Sequence, residues 1–135
     1  MADVTVTLDE AAIQDLLTGP NGPVVQYVWR TVVDATNLAK QECPHDTGLL
    51  MRSHQYTVDV QNTDVVGKFG ATAEYAADVH YGTQPHDIVP KNRQALAFKI
   101  GGKTIIVHRV HHPGTKPNPW LIRTAQKLGL QAEPV

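Results

Sequence analysis

A chain of 135 residues with 41% hydrophobic and 19% charged side chains has the composition of one folded domain, large enough to bury roughly two-thirds of its unfolded surface. No uninterrupted apolar run exceeds four residues, the opening "MADVTVTLDE" lacks the apolar stretch of a secretory signal, and Cys43 is the only cysteine; no transmembrane helix, no signal peptide and no intrachain disulfide are expected. The net charge of -1 hides an asymmetry, because residues 1–67 carry nine acids against three bases while residues 68–135 carry four acids against nine bases.

In chain order, "VTVTL" (4–8) alternates like a short strand or an extended arm. Thr7 and Glu10 then have the spacing of a capping box, which predicts a helix over 8–18. "TGPNGP" (18–23) is a turn or linker. From Val24 a long helix is expected, with Val25, Val28, Val32, Ala35 and Ala39 forming one apolar stripe, and Pro44 ends it. Asp46 or Thr47 is placed to cap a short following turn. "HQYTVDVQ" and "VVGKFGA" read as a hairpin whose first strand presents Tyr56, Val58 and Val60 on one face.

"AEYAADVHYG" reads as a short helix closed by Gly82, and "TQPHDIVPKN" as a loop. "QALAFKI-GG-KTIIVHRV" is the clearest hairpin, two β-rich runs on a Gly-Gly turn. Asn118 as N-cap and Pro119 at the first helical position predict a last helix, with Leu121, Ala125 and Leu128 on its inner face and Gly129 at its end. The expected class is α+β: a long N-terminal helix packed on an antiparallel sheet built from hairpins, with a short middle helix and a C-terminal helix. A single domain is expected over 1–135, made of an N-terminal arm, helix and linker (1–23), a core (24–129) and a loose tail (130–135).

Four chemical signals need weighing. "HRVHHPG" puts His108, His111 and His112 within five residues, but strand alternation separates His108 from His111, and no acid lies between Ile88 and Gln131. Surface or interface histidines are expected, with no metal or other cofactor. "DTG" (46–48) matches the tripeptide of aspartic proteases, yet a polar, proline-broken segment after a helix precedes it instead of a buried strand. No nucleophile set or phosphate loop is present, so no catalytic residue is assigned and the chain is not expected to be an enzyme.

The fourth signal is charge. Eight Lys/Arg and no acid between Ile88 and Gln131 could bind nucleic acid if they shared a face, and such a protein is the alternative reading. The available aromatics, Phe98 and Trp120, sit at positions that look core-facing. The same asymmetry would let identical subunits meet head to tail.

Three stretches together resemble one family. "CPHDTGLLMRS" (43–53) is similar to a P-x-D-T-G-x-L-x-x-S pattern after a long helix, "YAADVHYGT" (75–83) to Y-A-x-x-V-x-x-G-T, and "HPGTKPNPWLIRTA" (112–125) to a closing H-P-G-T-x-P-x-P-aromatic-L-x-x-A segment. The family is the small neck proteins of tailed bacteriophages: head–tail joining, tail-completion or minor tail proteins. His45, His80 and Trp120 depart from its usual residues at those positions.

The resemblance implies a virion structural protein, a ring-forming subunit at the head–tail junction that is assembled in the host cytoplasm. Its expected partners are copies of itself, six-fold by the family, and neighbouring neck and tail proteins, while packaged DNA passes the lumen without specific binding. The interface candidates are Asp46, Thr47, Gly48 and Arg52 in the first motif, Tyr75, His80, Gly82 and Thr83 in the second, and His111, His112, Pro113, Gly114, Thr115 and Lys116 around the third. Trp120 is the expected structural anchor.

Overall fold

The computed structural model describes residues 2–131, and the chain forms two compact units, one running to Ala73 and resuming at Trp120, the other covering Glu74–Pro119. Both draw on the span expected as a single core. The tail expected at 130–135 lies, from 132 onward, outside the described residues.

In the first unit, residues 2–8 are exposed and form no helix or strand. Helix α1 (Glu10–Thr18) is capped by Asp9, whose carboxylate accepts from Ala12 N at 3.1 Å. The capping box proposed for Thr7 does not form, because Asp9 offers a stronger acceptor two residues closer to the helix. Helix α2 (Pro23–Glu42) begins with proline at its first position and buries Val32, Ala35, Thr36 and Ala39, an inner stripe that overlaps the expected one but leaves Val25 and Val28 half-buried. A bend through Asp46–Gly48 leads to α3 (Leu49–Arg52), where Gly48 takes φ +80. Neither Asp46 nor Thr47 is the N-cap residue; Gly48 is, since the tight turn demands a left-handed residue there. Thr47 Oγ1 makes only a long 3.4 Å contact with Leu49 N.

Strands β1 (His54–Gln61) and β2 (Asp64–Ala71) form the first hairpin, with Tyr56 opposite Phe69 and Val58 opposite Gly67. Its inner face packs on α2 at Gly67: a Cβ there would lie 2.2 Å from Val32 Cγ2 and 3.0 Å from Val28 Cγ1. Those valines have little rotamer freedom in a helix. Gly67→Ala should therefore destabilise the first unit by about 1–3 kcal/mol. Gly70→Ala, with nothing within 4 Å, should stay within about 0.5 kcal/mol of wild type. Urea midpoints of the two variants provide the check; equal midpoints would show that the helix can move off the hairpin.

The second unit opens with α4 (Ala76–Tyr81), closed by Gly82 at φ +76. Strand β3 (His86–Ile88) falls where a loop was expected, and pairs with β6 (Val110–His112). A three-residue strand in the four positions between Pro85 and Pro90 is too short for an alternation signal. Between them, β4 (Leu96–Ile100) and β5 (Lys103–Val107) form the Gly-Gly hairpin, with φ +57 at Gly101 and +82 at Gly102. Among the described residues the strands thus make three separate two-stranded sheets, and α2 packs on the first.

The chain returns to the first unit as α5 (Trp120–Lys127), one residue later than expected. It buries Trp120, Thr124 and Ala125, whereas Leu128 is exposed. Gly129 at φ +69 ends it: Leu130 N donates to Ala125 O at 2.9 Å and Gly129 N to Gln126 O at 3.0 Å, the paired bonds of a Schellman motif. Among the described residues no helix is long and apolar enough to cross a membrane.

Candidate functional site

The motif residues of the second unit meet in one ribbon. Thr83 and Thr115 exchange backbone hydrogen bonds, Thr83 N to Thr115 O at 3.0 Å and Thr115 N to Thr83 O at 3.1 Å, and Thr115 N also reaches Thr83 Oγ1 at 3.0 Å. The strands β3 and β6 continue in the same register, so Pro85 falls opposite Pro113 and the ladder is interrupted where neither residue has an N–H to donate. Asn118 N donates to Val79 O at 3.0 Å beyond the other end.

The two Gly-Thr pairs lock into each other. A Cβ on Gly114 would lie 2.4 Å from Thr83 O, and one on Gly82 would lie 2.5 Å from Thr115 O and 2.9 Å from Pro117 Cδ. Both glycines also have positive φ, +76 at Gly82 and +88 at Gly114. The second and third motifs are therefore complementary halves of one backbone crossing. Thr115, Lys116 and Pro113 stay exposed beside it, as does Tyr75.

The histidines are held by the ribbon's own polar groups. His86 faces His112 across the strands, rings stacked at 5.0 Å with 26° between planes. His86 Nδ1–H donates to Gln84 O at 2.9 Å, while His112 Nδ1 accepts from Gly114 N at 3.1 Å. His108 Nδ1–H donates to Gln94 O at 2.8 Å. These bonds fix the rings in the ribbon and the loops beside it, and no group of three His, Cys, Asp or Glu side chains among the described residues converges to hold a metal.

Asp87 accepts from His111 Nδ1–H at 2.8 Å and lies 3.4 Å from Arg109 Nη1. The hydrogen bond from His111, then the nearby Arg109 charge, holds the Asp87 carboxyl below the usual carboxylate range. A depressed folded-state pKa means that the stabilisation is present above the unfolded value and is lost as pH falls through the folded one. Acidification below the usual carboxylate range should thus loosen the β3–β6 ribbon, whereas Asp87→Asn should remove that pH dependence. Amide exchange of residues 86–88 across the acid range reads it; an unchanged profile in Asp87→Asn would assign the effect elsewhere.

The first motif lies in the other unit and does different work. Asp46 is exposed in the bend and lies on no strand. Arg52 Nη1 lies over Gly48, 3.1 Å from where a Cβ would stand. Cys43 is buried at the end of α2, where desolvation raises its thiol pKa and makes it a poor nucleophile.

One buried pair was not foreseen from sequence. Trp120 Nε1–H donates to His54 Nε2 at 3.0 Å, and His54 Nδ1–H is shared by Leu50 O and Met51 O at 2.9 and 3.0 Å. Donation into Nε2 leaves the proton on Nδ1, so the imidazole is neutral and satisfied on both sides. The available signal was the indole itself, since a buried tryptophan N–H needs an acceptor. His80 is also buried, edge-on to Tyr81 at 4.6 Å, and so is no surface histidine.

The basic stretch runs through both units. Arg109 is engaged by Asp87 and Lys127 by Glu42, and the eight cations divide between the two units. Phe98, expected to face a core, is exposed. No protein-family profile, curated protein or solved structure matches this chain.

Proposed function

We propose that this chain is a ring-forming structural subunit of a bacteriophage neck, completing the tail end or connector so that head and tail join. The observation that carries the reading is the interlock of Gly82–Thr83 with Gly114–Thr115. It gives two of the three family-like motifs a shared structural reason, because each glycine is needed for the other's threonine to approach. The first motif supplies the left-handed turn at Gly48 between α2 and α3. Motif residues that shape backbone and surround no reactive group fit a scaffold better than a catalyst.

In this reading the partners are further copies of the chain, six by family resemblance, with neck and tail proteins above and below, and the place of action is the virion. A net charge of -1 suits a lumen that DNA crosses without adhering, since affinity for the polyanion grows with each phosphate neutralised. The test is electron microscopy of particles from an infection in which this protein is absent. Filled heads lying apart from finished or overlong tails are expected, and the defective half names the layer. Joined, intact virions would remove the assignment.

A further inference from the structure

The β4–β5 hairpin and helix α1 both carry apolar faces open to solvent. Pairing Leu96 with Val107, Phe98 with Ile105 and Ile100 with Lys103 puts five apolar side chains on one face of the hairpin. Ile100 is 59% exposed, and Phe98 and Ile105 are each more than a third exposed. A two-stranded hairpin is marginal alone in water and gains stability only when such a face is covered. Helix α1 buries none of its residues, and Ile13, Leu16 and Leu17 are 39%, 54% and 42% exposed.

Charge says what could cover the hairpin. From Lys91 to Arg109 the chain has five bases and no acid, and Arg109 pairs with Asp87. Lys99 and Lys103 flank the Gly-Gly tip and have no acidic partner among the described residues. From the N-terminus to Thr18 the chain has four acids and no base, with Glu10 and Asp15 on α1 likewise without a basic partner among the described residues. The lengths agree as well: five-residue strands extend about 17 Å, and a nine-residue helix about 14 Å.

We propose that the apolar, basic face of the β4–β5 hairpin of one copy docks on the apolar, acidic helix α1 of the next copy. The contact is heterologous, joining different surfaces of identical chains, and such contacts close into rings or extend as filaments. It rests on the ring reading above and names the seam of that ring. Leu16 and Leu17 meet Phe98, Ile100 and Ile105 and Glu10 meets Lys103, while Lys99 on the hairpin's other face and Asp15 on the far side of the helix add to the local charge of each surface.

Charge reversal with restoration tests it on the full-length protein by sedimentation velocity over a concentration series. The hairpin variant is Lys99→Glu with Lys103→Glu, and the helix variant is Glu10→Lys with Asp15→Lys. Each alone should weaken self-association at least about tenfold, the factor that 1.4 kcal/mol represents. Mixing the two variants, or combining all four substitutions in one chain, should restore it, which separates lost contacts from lost folding.

A wild-type protein monomeric at every concentration, or an assembly indifferent to reversal and restoration, would overturn the seam. So would a hairpin variant that loses salt-dependent binding to duplex DNA while its self-association stays intact, because the lysines would then serve nucleic acid. Closed rings indifferent to reversal would discard the seam and keep the ring. Heads and tails that join without the protein would discard the neck role and leave the seam standing.

Discussion

Trp120→Ala should lower the unfolding free energy of the first unit by about 3–5 kcal/mol, the range for removing a large buried aromatic. The side chain is fully buried at the first turn of α5, so the deletion opens a cavity. It also strips His54 Nε2 of the donor that fixes its tautomer. Trp120→Phe separates these effects. It keeps most of the volume but leaves a buried acceptor unpaired, at a cost of about 1–3 kcal/mol. Urea unfolding followed by far-ultraviolet circular dichroism measures both losses. A loss below 1 kcal/mol in Trp120→Ala would mean that α5 holds its place without the indole. Because Trp29 is largely exposed, a Trp29→Phe background lets fluorescence follow Trp120 alone.

The second large effect belongs to Gly114. An alanine there faces two penalties: roughly 1–2 kcal/mol for a side chain at positive φ, and roughly 1–3 kcal/mol for overpacking. The atom in the way is Thr83 O, a backbone carbonyl already fixed by its bond from Thr115 N, so it cannot swing aside as a side chain would. A loss of about 2–4 kcal/mol is expected, confined to the second unit, with faster amide exchange at Thr83 and Thr115. Gly101→Ala is the matched comparison, since its φ is also positive but nothing lies within 4 Å. If the two variants lose equal stability, backbone conformation alone accounts for the glycine and the interlock contributes nothing. In the neck reading, Gly114→Ala should also yield fewer joined particles.

How well each element could be read from sequence follows from the range of the interactions behind it. The breaks at Pro23 and Pro44, the stripe through Val32, Ala35 and Ala39, the Gly-Gly hairpin and the close of α5 at Gly129 all depend on residues within a turn or two of each other. Propensity, period and positive φ are local properties, and the mixed helix-and-hairpin class followed from them. The interface candidates were likewise picked out by short motifs, but their arrangement was not. Gly82 and Gly114 each resembled an ordinary turn glycine. Only folding brings Thr83 O and Thr115 O to where their missing Cβ atoms would stand.

Contacts between residues far apart in sequence were decided by the tertiary structure. Strand β3 exists because β6 lies beside it, and four residues between Pro85 and Pro90 carry no pattern of their own. His54 reads in sequence as one more scattered histidine, but 66 residues separate it from the indole that makes it a core group. Phe98 has the residue type of a core position but stays 37% exposed, because hydrophobicity specifies a preference for burial and not the surface that satisfies it. The amino-acid sequence by itself determined which segments are helix, hairpin or turn and where acid and base concentrate. The tertiary structure alone decided which motifs meet, which histidines are buried and which apolar faces remain open for a partner, since each depends on close packing between distant segments.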